Sequence, residues 1–216
     1  MKQFLVRFLN FFVGQTLCGI GIVISIRAHI GYAPWEVFHV GLAETTGSSI
    51  GTVSIVAGVV IVVIVTLSGE KIGLGTVLSM LLAGITIDVV MYLNIVPLAN
   101  NYVVGVIMML IGLSIQSVGS YFYIKSALGA GPRDNLMILL KRKTRLPVGG
   151  CRVAVEMLVT LIGWLFGGMV GFGTIISMVA IGFCIQITYR IFRFDPTAVE
   201  HETFAATFRS LTRKGK

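Results

Sequence analysis

The side chains able to do chemistry in this chain are the few charged ones that interrupt its apolar stretches. Glu36, Arg133 and Asp134 each lie within two residues of a proline that follows an apolar run, and Arg152 and Glu156 lie inside a later run. Charged groups are costly in an apolar environment, so each one is a candidate functional residue. Guanidinium and carboxylate groups in such positions bind polar or ionic solutes, or carry protons.

Two breaks in the apolar sequence share one pattern. A glycine, a proline three positions later and a carboxylate two positions beyond it occur twice, 98 residues apart. Proline is favoured at the first position of a helix, and the free N–H groups of a helix N-terminus attract anions and polar groups. The predicted substrate-binding residues are Gly31, Pro34, Trp35, Glu36, Gly129, Pro132, Arg133 and Asp134.

A second set of polar residues lies within the apolar stretches. Asp88 and Gln186 are also 98 positions apart, which indicates that both face a shared polar interior; alternatively, Asp88 caps or hydrogen-bonds a neighbouring helix. Arg152 and Glu156 are four residues apart, so they form either a structural ion pair or a coupling or substrate site. In the second case Glu156 is the proton-responsive group. The predicted intramembrane polar or coupling residues are Asp88, Gln186, Arg152 and Glu156.

The composition indicates a membrane protein. Of the 216 residues, 56% are hydrophobic and 12% are charged, whereas about a quarter of the residues in a soluble domain are charged. The net charge of +8 is carried by loops and by the tail, without stacking aromatics, which argues against nucleic-acid binding. Cys18, Cys151 and Cys184 lack metal-binding spacing, so we expect neither a metal nor a cofactor.

Six stretches are long and apolar enough to cross a hydrocarbon core of about 30 Å. Lys and Arg concentrate in the segments that would all lie on one side, among them Lys71, Arg145 and the tail, whereas Arg27 is the one base in the opposite loops. The positive-inside rule therefore places both termini in the cytoplasm and the chain in the cytoplasmic membrane of a bacterium. The six stretches are approximately 4–26, 50–67, 73–93, 102–124, 148–166 and 171–189.

Two short segments, 35–46 and 133–144, follow the breaks. They are too short to cross the membrane, because a helix of that length reaches only about 20 Å. Each is either an interfacial amphipathic helix or a re-entrant half-helix that lies against protein or a water-filled cavity. The residues expected at the outer interface are Tyr32, Trp35, His29 and His39.

The first half of the chain recurs in the second half. Residues 21–92 align with 119–190 without a gap, and 17 of the aligned pairs are identical. Each copy holds three predicted spans, an odd number, so the second copy is inverted relative to the first. The predicted fold is all-α: a polytopic membrane protein with six transmembrane helices in two inverted three-helix repeats, about 4–93 and 102–190.

The predicted membrane domain covers 1–194, and the remaining residues, 195–216, change in character. Thr197 and Glu200 fit a capping box, and apolar residues alternate with bases beyond them. This pattern predicts a cytoplasmic amphipathic helix that lies on anionic lipid.

Several motifs carry a resemblance to a known family. They are the break pattern at 31–36 and 129–134, Gly-x-Gly-Thr at 73–76 and 171–174, and Ile87-Asp88. In these motifs, and over nearly the whole chain up to about residue 190, the sequence resembles the YitT/YczE-type family of bacterial integral membrane proteins. Glu36 departs mildly from the family pattern, which has aspartate there. The resemblance implies a bacterial membrane location and assigns no substrate.

The repeats and the paired breaks favour a transporter of a small polar or anionic solute, working by alternating access between inverted halves. The alternative is a non-transporting accessory or substrate-capture subunit with a separate partner. A lipid-modifying enzyme is less favoured because no catalytic motif occurs, so we expect no enzyme. The expected partners are the bilayer and a small solute. A homodimer, packed through the glycines Gly163, Gly167 and Gly171, or a separate membrane partner is the further alternative.

Overall fold

The structure, a computed structural model, describes residues 2–70, 72–129, 131–144, 147–196 and 199. The described residues form eight helices and no strand, so the predicted all-α class is confirmed. Predictions for Lys71, Arg145 and the tail helix lie outside the described residues. The helices are α1 Lys2–Arg27, α2 Pro34–Thr46, α3 Ile50–Leu67, α4 Leu74–Leu93, α5 Tyr102–Lys125, α6 Pro132–Thr144, α7 Val148–Leu165 and α8 Phe172–Ile191.

Five of the described helices are long and apolar enough to cross a membrane: α1, α3, α4, α5 and α8. α6 and α7 are joined at a bend of 116° and together would count as a sixth span. Large apolar side chains such as Val60, Leu158 and Val179 are more than half exposed, which is typical of a surface that faces lipid rather than water. The two short segments predicted after the breaks are α2 and α6.

The centre of the bundle is the crossing of α1 and α5, where glycines allow close backbone contact. A Cβ atom on Gly14 would lie 2.7 Å from the carbonyl oxygen of Gly119, and one on Gly21 would lie 2.5 Å from that of Gly112. Without a hydrophobic driving force between helices in lipid, such close packing of small residues is what holds helices together. Gly14 and Gly112 are equivalent positions of the two copies, 98 residues apart, and so are Gly21 and Gly119. The second contact is therefore the first one with the two copies exchanged.

Each break lies against the start of a helix from the other copy. The N–H group of Gly75 donates to the carbonyl of Leu128 over 3.0 Å, and the N–H group of Gly173 donates to that of Ile30 over 2.8 Å. Gly31, with φ of +110°, leaves no room for a side chain, since a Cβ atom would lie 2.6 Å from the backbone nitrogen of Gly171. The Gly-x-Gly-Thr motifs are therefore close-approach sites for the opposite break.

The loops at the two ends of the bundle form two separate groups of contacts. One group joins segments that the charge distribution predicts on the cytoplasmic side, and the other joins segments predicted outside. The first group is Arg7 Nε to the Ser126 carbonyl, 2.7 Å, and Arg142 to Glu70, 2.8 Å. The second is Arg27 Nη2 to Asn94 Oδ1, 2.7 Å, and Thr45 Oγ1 to the Phe166 carbonyl, 2.9 Å.

The two copies differ in how their last two long helices pack. Gly51 on α3 is in close contact with Gly84 on α4. The equivalent residues on α7 and α8 are Gly149 and Gly182, and a Cβ atom on either would meet no described atom within 4 Å. The α3–α4 pair is therefore closed at a point where the α7–α8 pair is open.

Gly163, one of the glycines named for a possible contact between protomers, has a partner within its own chain. Its Cα lies against α2 within the same chain, where a Cβ atom would approach the backbone nitrogen of Phe38. The glycine is required because α2 is buried and packs tightly on α7.

We predict that Gly21→Ala destabilises the protein by about 1–3 kcal/mol, because the added methyl group must separate α1 from α5. The matched control is Gly182→Ala, which places the same methyl group inside a helix but in open space. Unfolding of the purified protein in detergent, followed by circular dichroism, would measure both. Equal stability of the two variants would contradict close packing at the crossing.

Candidate functional site

The first turns of α2 and α6 meet, so the two breaks come together as the pattern predicted. The guanidinium group of Arg133 lies over the indole ring of Trp35, 4.6 Å from its centroid. Arg133 Nη1 is also 4.0 Å from Oε1 of Glu36, whose side chain is 6% exposed. A residue from each break therefore contacts the other break directly.

α2 begins where the sequence indicated and is buried over most of its length. Ala33 has an extended backbone, Pro34 occupies the first turn, and Gly47 ends the helix in the left-handed region with φ of 68°. Tyr32 and Trp35 are 7% and 9% exposed. Both side chains are therefore enclosed by protein, rather than exposed on the bundle surface as residues of an interfacial belt are.

Tyr123 on α5 holds the start of α6 in place. Its hydroxyl donates to Asp134 Oδ2 over 2.6 Å and accepts from the backbone N–H of Gly131 over 3.0 Å. Asn135 Nδ2 then donates to Thr76 Oγ1 over 3.3 Å, which ties α6 to the start of α4. Sequence reasoning missed this role of Tyr123, since its position near the end of an apolar helix predicted an interfacial aromatic.

The breaks open into a cavity of about 450 Å³ that all eight helices help to enclose. The charged residues that line it are Arg133, Asp134, Arg152 and Glu156. In the parts of the chain that the structure describes, no group of three His, Cys, Asp or Glu side chains could hold a metal ion. The other polar residues of the lining are Gln15, Cys18, His39, Ser54, Ser79, Gln116, Ser120, Tyr123 and Tyr189.

Two buried polar residues of this lining, His39 and Gln15, are not among the predicted site residues. His39 is 2% exposed and faces the cavity, so its expected position at the outer surface is wrong. Its ring lies 6.2 Å from that of Trp35. Gln15, in the middle of α1, is 5% exposed and lines the same cavity. Hydropathy places both in or near apolar segments but does not show which way they face.

Arg152 and Glu156 form the ion pair that their spacing predicted. Arg152 Nε lies 2.8 Å from Oε1 of Glu156, one turn further along α7. Both residues line the cavity. Their role in coupling or substrate binding stays a prediction.

Asp88 and Gln186 do not face a shared polar interior, because neither lines the cavity. Asp88 accepts from the Ser49 hydroxyl over 2.6 Å and from the backbone N–H of Gly51 over 2.8 Å. It therefore caps the N-terminus of α3, which is the alternative that the sequence left open. Gln186 is exposed on α8.

The amino-acid sequence matches a known family. A family model described as a family of unknown function (DUF6198) covers residues 5–190. The chain belongs to this family. Over 193 residues, 87% of this DUF6198 chain and 88% of the relative, it is 33% identical to the "Uncharacterized membrane protein YczE" of Bacillus subtilis (strain 168). The resemblance to YczE-type membrane proteins is thus confirmed.

Two further relatives of the DUF6198 chain cover most of its length. An "Uncharacterized protein" of Haemophilus influenzae is 30% identical over 176 residues, 82% of this chain and 80% of the relative. "Uncharacterized protein YyaS" of Bacillus subtilis (strain 168) is 22% identical over 212 residues, 97% and 99% of the two chains. No solved structure matches.

We predict that lipid-borne quenchers distinguish the two tryptophans of this DUF6198 protein. Trp164 is 58% exposed on the apolar surface and Trp35 is 9% exposed inside the bundle. In bilayers of brominated lipid, Trp35→Phe, which keeps Trp164, should lose most of its emission. Trp164→Phe, which keeps Trp35, should retain most of it. Equal quenching of both variants would contradict the burial of α2.

Proposed function

We propose that this protein is a small transporter that moves a small polar or anionic solute across the cytoplasmic membrane by alternating access between two inverted halves. The observation that carries the proposal is the cavity where the first turns of α2 and α6 meet. Half-helix N-termini that converge inside a bundle are the recurring solute site of carriers built from inverted repeats. Their N–H groups and positive dipole ends favour anionic or polar groups.

The inverted arrangement is supported by contacts that occur twice. The hydrogen bond from Gly75 to Leu128 has its counterpart, 98 residues along, in the bond from Gly173 to Ile30. The glycine contacts of α1 with α5 are duplicated in the same way. Reciprocal contacts of this kind follow when two similar halves pack around a common twofold axis.

Six spans with both termini in the cytoplasm follow if α1, α3, α4, α5, α7 and α8 cross and α2 and α6 are re-entrant. In favour of this topology, the loops that carry bases cluster at one end of the bundle, through Arg7 with Ser126 and Arg142 with Glu70. The opposite end holds Arg27 with Asn94. That distribution accords with the positive-inside rule.

The unequal packing of the two halves supports movement between two states. In a carrier with inverted repeats, exchanging the conformations of the halves turns a site from one side of the membrane to the other. Here the α3–α4 contact at Gly51 and Gly84 closes the outer end, and the open Gly149 and Gly182 lie toward the cytoplasmic end. With the proposed topology, this difference favours a state whose site is open toward the cytoplasm.

A substrate-capture subunit would share this cavity but would not need to change state. A lipid-modifying enzyme is less favoured, because no catalytic motif of such enzymes occurs in the sequence. We therefore propose a carrier rather than an enzyme.

We predict that Gly149→Cys combined with Gly182→Cys forms a disulfide in membranes treated with copper phenanthroline. The equivalent pair in the first half is already in contact, so exchange of the two conformations brings α7 and α8 together. The background must have Cys18, Cys151 and Cys184 replaced by alanine. Gel mobility before and after reduction measures the product.

Each single-cysteine variant controls for links between molecules. Ser49→Cys with Asp88→Cys serves as the positive control, because these two side chains face each other, with Ser49 Oγ 2.6 Å from Asp88 Oδ2. If the positive control is oxidised and the α7–α8 pair never is, the exchange between states is wrong.

We predict that Asn100→Cys and Lys141→Cys react from opposite sides of the membrane. Both side chains are exposed, Asn100 between α4 and α5 and Lys141 at the end of α6. A membrane-impermeant maleimide should label the first in intact cells and the second only after permeabilisation. Labelling of both in intact cells would mean that α6 crosses the membrane, which contradicts the six-span topology.

A further inference from the structure

Two buried polar side chains face the cavity without a hydrogen-bond partner. Gln15 and His39 both line it, and neither makes a hydrogen bond to any residue that the structure describes. Among the side chains that the structure describes, Arg27 Nε is the one nitrogen or oxygen that is fully enclosed without a partner. The polar atoms of Gln15 and His39 are therefore open to the cavity and available to a ligand. An amide and a neutral imidazole each offer a donor and an acceptor. Together they suit a ligand that both donates and accepts hydrogen bonds.

Arg133 presents a guanidinium group to the same cavity. The ring of Trp35 supports its flat face, and its 4.0 Å separation from Glu36 is longer than a hydrogen bond. Charge-assisted N–H···O bonds are about 2.7–2.9 Å long. The N–H donors are therefore held in position without being closed off by Glu36. This arrangement suits the bidentate binding of a carboxylate.

The charges that line the cavity cancel one another. Arg133 and Arg152 supply two positive charges, and Asp134 and Glu156 supply two negative ones. Glu36 lies behind Arg133 and outside the lining, and it leaves one negative charge in excess around the site, which disfavours a simple anion further. A simple anion would bring an uncompensated charge into this partly dehydrated space, which is costly. A ligand that carries both charges avoids that cost, so the lining favours a zwitterion.

The remaining wall of the cavity is apolar. A volume of about 450 Å³ lies within the usual range for small-molecule sites, about 300–1,000 Å³. This wall would receive an uncharged side chain beside the charged end of the ligand. The apolar residues that form it include Ile22, Ile61, Met80, Ile181 and Ile185.

We propose that the cavity binds a free zwitterionic amino acid. The α-carboxylate lies on the guanidinium group of Arg133, and the ammonium group lies toward Asp134 and Glu156. Gln15 and His39 complete the hydrogen bonds of the ligand. The inference rests on the proposed function, in which this cavity is the solute site, and narrows the solute class.

The test uses the purified full chain in detergent and the standard L-amino acids other than tryptophan as probes. Thermal unfolding, followed by tryptophan emission, shows which of them raise the melting temperature, and calorimetric titration gives the dissociation constant of the strongest. The same titration is repeated with its N-acetyl derivative, an anion, and its methyl ester, a cation. We expect each derivative to bind at least about tenfold more weakly, since each loses one charge-assisted contact.

Three outcomes would overturn the proposal. Equal affinity for the N-acetyl derivative would show an anion site, and equal affinity for the methyl ester would show a cation site. Failure of every amino acid in the set to bind would exclude the class.

Variants of the lining separate a ligand contact from a structural role. Arg133→Lys keeps the positive charge but loses the planar guanidinium group that binds a carboxylate through two N–H donors. It should weaken binding at least about tenfold. Arg193→Lys, the same exchange at an exposed position outside the cavity, should leave binding unchanged. Gln15→Leu should weaken binding while keeping or raising the melting temperature of the free protein, because it removes an unpaired buried amide. A melting temperature lowered by Gln15→Leu with binding intact would show that the amide is structural.

The amino-acid binding test and the cysteine cross-linking test of the proposed function can fail independently. If the cysteine pair on α7 and α8 forms its disulfide but no amino acid binds, the carrier proposal stands and the solute class is wrong. If an amino acid binds but the pair never forms, the chain is a capture protein for that solute.

Discussion

The structure depends on one constraint: inside a membrane, every backbone N–H and C=O group must find a partner within the protein. The two breaks leave carbonyl groups of non-helical backbone inside the bundle. Ile30 and Leu128 meet this requirement by accepting from Gly173 and Gly75, the starts of helices in the opposite copy. Each copy therefore completes the hydrogen bonding of the other. Neither half can hold its break in this form alone, and the meeting of α2 and α6 follows from that exchange.

Much of the architecture could be predicted from the sequence because it is local. Apolar length located every long helix to within a few residues, and the proline after each break located the start of α2 and α6. The pair of Arg152 and Glu156 followed from helical spacing alone. The contact between Trp35 and Arg133 is different in kind, since those residues are 98 positions apart. It could be predicted because the chain repeats itself, so that two similar breaks in inverted copies were expected to face each other.

The remaining features depend on which way a side chain points, and composition carries little information about that. His39 and Tyr32 were expected at the outer interface, yet both side chains are buried within the bundle. For Asp88 the sequence left two alternatives, a shared polar interior or a helix cap, and only the assembled structure shows the cap on α3. The Gly-x-Gly-Thr motifs mark the starts of α4 and α8, but the break that packs closely against each of them is distant in sequence. Such contacts become visible only when the helices are assembled.

The cap on α3 also has a thermodynamic consequence for the balance between conformations. Asp88 places a full negative charge against the N-terminus of α3, while Gln186 at the matching position of α8 carries none. A carboxylate at a helix N-terminus contributes about 0.3–1 kcal/mol more than a neutral group, a ratio of roughly two to five in population. If the two halves exchange conformations, the contact closed at Asp88 is more stable than the equivalent contact closed at Gln186. Under the proposed carrier mechanism, the resting ensemble is then weighted toward the form that is closed at Asp88.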